Sequence, residues 1–158
     1  MDKLTRVLFV CMGNICRSPT AEGVTRALAV KHGFVDLFEF DSAGTHGYHV
    51  GNLPDVRARQ AAAKRGYDLS SLKARQVNEF DFERFDRILA MDHDNLELLR
   101  QACPEEHHGK LGLFLEYASS STGDEVPDPY YGGPEGFERV LDMIEDAAGG
   151  LLARFAKK

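Results

Sequence analysis

Val7, Leu8, Phe9 and Val10 run together with no polar residue among them, and no other feature of the chain restricts its fold so much. A strand with one wet face alternates apolar and polar side chains. An unbroken run of β-formers instead belongs to a strand covered on both faces, as in a parallel sheet with helices on each side. The residues that follow agree. "CMGN" supplies a tight turn, and Pro19 suits the first turn of a helix whose apolar stripe is Ala21, Val24, Leu28 and Ala29.

The pattern repeats down the chain. "LFEFDSAG" (37–44) reads as a second strand ending in turn chemistry, and Pro54 opens a helical pattern through Val56, Ala61 and Ala62 that Gly66 stops. Residues 87–91 read as a third strand, "HDNLELLRQAC" as a helix, and 110–118 as a fourth strand. A long helix from Pro134 closes the chain, with Gly149 and Gly150 a weak point inside it. Strands alternating with helices predict an α/β fold of three layers, a parallel sheet with helices on both faces. In such sheets ligands bind beyond the carboxyl ends of the strands, near a switch in strand order. The turn from Cys11 to Arg17 lies at such an end.

At 158 residues the chain suits one domain spanning 1–158. No apolar run reaches the ~18 residues of a membrane helix, and the start, with Asp2 early, reads as a strand and not a secretion signal. Three cysteines make an odd count, which argues against a disulfide framework and for a reducing compartment. Cys103 reads as a helix-end packing residue. These features predict a cytoplasmic protein with no membrane attachment. A net charge of −6 leaves no basic footprint for nucleic acid, so any anion site has to be built locally.

"CMGNICRS" has the means to build one. Its backbone N–H groups and the following helix N-terminus form a concave site for an anion. Gly13 and Asn14 tolerate the left-handed angles of a tight curl, and Arg17 adds a planar fork that grips two phosphate oxygens. Cys11 at the floor would lie among amides and a guanidinium, surroundings that lower a thiol from about 8.5 to somewhere around 3.5–7.5. A thiolate beneath a phosphoryl group is a nucleophile aimed at phosphorus, and Ser18 can donate a hydrogen bond to that sulfur and help it leave later. A buried cysteine and a first-turn surface arginine would satisfy the same residues without chemistry.

At these residues the chain resembles the low-molecular-weight protein tyrosine phosphatases. The likeness begins in "VLFVCMGNICRSPTAE" and continues in order through "DSAGT", "VGNLPDVRA", "KARQV", "ILAMDHDNL" and "VPDPYYGG". It implies a four-stranded parallel sheet and a two-step hydrolysis of phosphotyrosine that uses no metal or cofactor. Cys11 would form a cysteinyl-phosphate, while Arg17 and the amides of Met12, Gly13, Asn14, Ile15, Cys16 and Ser18 hold the phosphoryl oxygens. Asp128 would protonate the leaving phenolate and later deprotonate the attacking water. The resemblance further implies that Tyr130 and Tyr131 flank the aryl group, that Ile15 and Tyr48 shape the rim, and that Ser42 and Asp92 brace the loop. A branched apolar residue at Ile15 goes with phosphotyrosine preference; a smaller polar one goes with relatives that hydrolyse phosphoarginine. Asp92 equally suits a helix cap. The implied partner is a phosphotyrosine-containing protein, such as an autophosphorylating tyrosine kinase, and the implied state a monomer or weak dimer.

One departure stands out. Many relatives carry a histidine, hydrogen-bonded to the loop asparagine, where this chain has Leu72, so Asn14 needs another partner. The family also pairs the counterparts of Cys11 and Cys16, which makes a protective disulfide between them an expectation. His32, His46, His49, His93, His107 and His108 show no metal-site spacing with cysteine or carboxylate, so no metal is expected. Arsenate reduction occurs on the same architecture but needs further cysteines, and Cys103 beside Pro104 is a poor substitute. A phosphotyrosine-binding module without turnover would lack the nucleophile or the acid, and both are present.

Overall fold

The apolar run becomes the centre of the sheet. The computed structural model describes residues 4–121, 123–129 and 133–156. Strand β1, Thr5–Cys11, lies between β2, Phe38–Gly44, and β3, Arg87–Ala90, with β4, Leu111–Leu113, beyond β3. The order is β2-β1-β3-β4 and every pairing is parallel. Residues 7–10 are fully buried, as an unalternated strand requires. Val7, Phe9 and Cys11 face a core shared with α1, Arg17–Lys31, and α5, Pro134–Phe155. Leu8 and Val10 face a second core with Phe82 of α3, Glu79–Arg84, and Leu96 and Leu99 of α4, His93–Ala102. Helix α2, Val56–Lys64, packs against α1 and α5.

From β1 the chain builds β2 on one side and β3 on the other, so strand order reverses at its carboxyl end. Cys11 is the last residue of β1, opposite Gly44 of β2. That is where a crevice is expected in an open parallel sheet. No helix among the described residues is long and apolar enough to cross a membrane.

Three points correct or extend the reading of the sequence. The fourth strand does not run from 110 to 118: it pairs with β3 only over Leu111–Leu113, and Phe114–Tyr117 winds into a 3₁₀ turn. Ala90, the last residue of β3, pairs with Leu113, so no ladder partner remains beyond it. Phe114 and Leu115 bury themselves instead in the core with α5. Second, α5 passes through Gly149 and Gly150 without a break. Gly150 marks a close approach, since a Cβ there would run into the Tyr117 carbonyl oxygen. Third, α3 was not anticipated. Its six residues are too few to establish a period, and a capping box between Asn78 and Asp81 fixes its start.

Candidate active site

Between Cys11 and Arg17 the chain curls around a single left-handed residue. Asn14, at φ 58°, is the only non-glycine with positive φ among the described residues. Such a conformation costs roughly 1–2 kcal/mol, and asparagine offsets it with local hydrogen bonds. Asn14 Nδ2 donates to Ser18 Oγ at 2.8 Å and to Ser42 Oγ at 3.0 Å, and its Oδ1 accepts from the Arg75 N–H at 3.0 Å. The Arg75 amide is the partner that Leu72 cannot supply. Gly13, which also tolerates left-handed angles, does not adopt them. It is needed for space: a Cβ there would meet His49 Cδ2 at 2.8 Å.

Cys11 Sγ accepts from the Asn14 N–H at 3.3 Å and lies 3.0 Å from Ser18 Oγ. Behind it, Ser42 Oγ donates to Glu22 Oε1 at 2.7 Å, and Arg26 Nη2 donates to Glu22 Oε2 at 2.6 Å. Burial pushes the Glu22 carboxyl up, against the opposing pull of Ser42 and Arg26. A polar chain thus runs from Glu22 through Ser42, Asn14 and Ser18 to the sulfur. Glu22 and Arg75 were missed because charged residues read as solvent-facing. Only the four-residue spacing of Glu22 and Arg26 hinted at a pair.

Arg17 opens α1 almost entirely buried, its side chain 3 % exposed. Nη1 donates to Asp92 Oδ2 at 2.7 Å and to the Val126 carbonyl at 2.9 Å, and Nη2 is 3.9 Å from Asp128 Oδ2. Burial alone would pull this guanidinium down. The Cys11 sulfur, Asp92 and Asp128 outweigh it and hold it above its ordinary value. Asp92 is also the N-cap of α4, its Oδ1 accepting from the Asn95 N–H at 2.8 Å, so bracing and capping are both present. Cys16, at the N-terminus of α1, is a different kind of cysteine. Burial, then Asp55, Cys11 and Asp128, push its thiol well up, with Arg57 opposing.

Cys11, Met12, Gly13, Ile15, Cys16, Arg17, Tyr48 and Asp128 line one cavity of about 250 Å³, and His49 joins them. Asn14 and Ser18 lie beneath its floor and not on its wall. His49 was unremarkable in sequence, and only the glycine opposite it gave a hint. Tyr130 and Tyr131 fall outside the described residues. The Asp128 side chain is 36 % exposed, open to an incoming group. Among the described residues no group of three His, Cys, Asp or Glu is arranged to hold a metal ion. Three histidines are engaged elsewhere: His93 with Asp124, His108 with the Cys103 carbonyl, and His46 with Thr45. The cavity offers a sulfur, a fixed guanidinium and a carboxyl around a space suited to a tetrahedral anion.

The model of the low molecular weight phosphotyrosine protein phosphatase family matches residues 6–158. The phosphatase of that name from Schizosaccharomyces pombe is 46% identical over 157 residues, covering 99% of this chain and 100% of its own. A protein tyrosine phosphatase of Entamoeba histolytica, solved with Hepes in its active site, has a TM-score of 0.93 at 42% identity over 96% of this chain and 97% of its own. YfkJ from Bacillus subtilis has a TM-score of 0.91 at 39% identity over 98% and 96%. With the whole fold and nearly the whole length in common, the chain belongs to the low molecular weight phosphotyrosine protein phosphatases, which are hydrolases.

Proposed function

We propose that the chain, as one domain over 1–158, removes phosphate from protein phosphotyrosine in two steps through a cysteinyl-phosphate on Cys11. The supporting observation is that Cys11, Arg17 and Asp128 line one cavity, with Arg17 anchored by Asp92 and Val126. In the first step the Cys11 sulfur forms a bond to phosphorus while the bond to the phenolic oxygen breaks. Arg17 and the loop amides take up the charge on the phosphoryl oxygens. Asp128, at the open side of the cavity, gives its proton to the leaving oxygen. In the second step water attacks the phosphoryl group, Asp128 takes its proton, and the sulfur leaves with Ser18 at hand. The positive field needed in both steps comes from the chain itself.

Ile15 on the cavity wall favours an aryl phosphate over phosphoarginine. The Hepes in the Entamoeba enzyme is a sulfonate, an oxyanion of comparable shape. Free Cys11, Cys16 and Cys103 suit a cytoplasmic setting, where an autophosphorylating tyrosine kinase is a fitting substrate for a monomer or weak dimer.

The test is turnover of phosphotyrosine, phosphoserine and phosphoarginine peptides by the wild type and two variants. Cys11→Ser should abolish hydrolysis. Asp128→Ala should slow it by about 10²–10⁴-fold, with a smaller loss for leaving groups that need no proton. Acid quenching during turnover should trap a phosphoryl group on Cys11. Wild-type rates in either variant would refute the scheme.

A further inference from the structure

A second cavity, of about 300 Å³, backs directly onto the first. Tyr48 lines the catalytic cavity, His46 lines the second, and their rings stack with centroids 5.0 Å apart and planes 11° from parallel. The wall between the cavities is therefore a pair of rings. It is pinned to the phosphate loop by the Thr45 N–H on the Cys11 carbonyl (2.9 Å) and the His46 N–H on the Met12 carbonyl (3.0 Å). Gln76 Nε2 donates to the Thr45 carbonyl at 3.2 Å, and Thr45 Oγ1 lies 2.9 Å from His46 Nδ1. Such anchoring keeps the spacing of the two cavities constant.

The second cavity has an apolar floor and a mixed rim. Phe82 and Leu99 close its base, and Val77, Ala102 and Leu98 ring it together with Gln76, Asn78 and Glu79. Leu98 is 40 % exposed, and Phe80, on the bordering helix α3, is 69 % exposed. Exposed apolar groups gathered around a hollow mark a binding surface more often than isolated ones do. The occupant follows from continuity with the catalytic cavity. A polypeptide held by its phosphotyrosine beside Tyr48 must run over or away from the stacked wall. Groups resting on the outer faces of two stacked rings lie about 12 Å apart; an extended chain advances about 13–14 Å in four residues, and alternate side chains point to the same side.

We propose that this cavity receives an apolar side chain of the phosphoprotein substrate, four residues from the phosphotyrosine. The inference rests on the reading of the first cavity as the phosphotyrosine site. It makes the His46–Tyr48 pair a spacer that measures the distance between phosphate and anchor.

The experiment compares phosphotyrosine peptides on one scaffold, with leucine or serine placed in turn at each flanking position, and p-nitrophenyl phosphate as the substrate with no peptide. Leucine four positions from the phosphotyrosine, on one side only, should raise kcat/KM about tenfold over serine, chiefly through KM. Leu98→Asp on the exposed face of α4 and Ala102→Phe, which fills the hollow, should each remove that preference. Neither should alter turnover of p-nitrophenyl phosphate or of the serine peptide, and unchanged melting would show that both variants fold. Absence of a leucine preference at every position, or a preference that survives both variants, overturns the proposal. If Leu98→Asp instead splits a dimer in sedimentation and leaves peptide preference untouched, the cavity is a contact between copies and the proposal is wrong. Failure of the wild type to hydrolyse p-nitrophenyl phosphate or any of the peptides would overturn the reading of the first cavity itself, and this one with it.

Discussion

Asn14 holds a left-handed backbone and three side-chain hydrogen bonds at once, and each depends on the other. Replacing it with alanine takes a donor from Ser18 and Ser42 and the acceptor from the Arg75 amide, and keeps the unfavourable φ. Asn14→Ala should therefore cost about 2–4 kcal/mol in urea unfolding and lower phosphotyrosine turnover at least tenfold. Leu72→His, which supplies the residue many relatives have, should change turnover by less than about twofold, because Oδ1 of Asn14 already has its donor. Cys16 invites a separate test. Its thiol is held protonated at neutral pH by burial and by the carboxylates around it, so its capture of an oxidised Cys11 should quicken as pH rises. After peroxide treatment the wild type should recover with added thiol, and Cys16→Ser should not. Equal recovery would remove the protective role.

Among the elements, α5 carries two adjacent glycines with opposite surroundings. Nothing lies near a Cβ built on Gly149, whereas one on Gly150 would run into the backbone of Tyr117. Alanine favours a helix interior by about 1 kcal/mol over glycine, and overpacking costs about 1–3 kcal/mol. Gly149→Ala should thus raise the melting temperature and Gly150→Ala lower it. Sequence patterning alone puts both in one class, as helix weak points. What separates them is the turn at Phe114–Tyr117, which exists because β3 is too short to pair with more of β4. The length of one strand thereby dictates which residue is tolerated on a helix far along the chain.

For the molecule as a whole, two carboxyls contribute to acid stability in opposite directions. Burial resists ionisation of Asp146, but the N–H groups of Ser119, Ser120 and Ser121 and the hydroxyls of Ser119 and Ser121 prevail and hold it well below the usual carboxylate range. Its contribution is present above the unfolded value of about 3.9 and is lost as pH falls through the folded one. Glu22, raised by burial, contributes below about 4.3 and loses that as pH climbs through its folded value. Solvent screens these bonds, so Asp146→Asn should cost about 0.5–1 kcal/mol at pH 7 and flatten the fall in urea midpoint below pH 4.

Legibility in the sequence followed the same division between local and distant. Val7 to Val10 announced a doubly covered strand, and the residues after Cys11 announced a tight curl, because neighbours along the chain carry both signals. Glu22, Arg75 and His49 were not legible. Their roles come from partners on other elements, and a charged residue seen alone looks like surface. Asp128 was found only through its likeness to a family.

The guanidinium of Arg17 takes its aim from a carbonyl 109 positions further on. On the function proposed above, a polypeptide still emerging from the ribosome would possess the sulfur long before the grip, and would stay silent until the chain past Val126 had folded back to meet it.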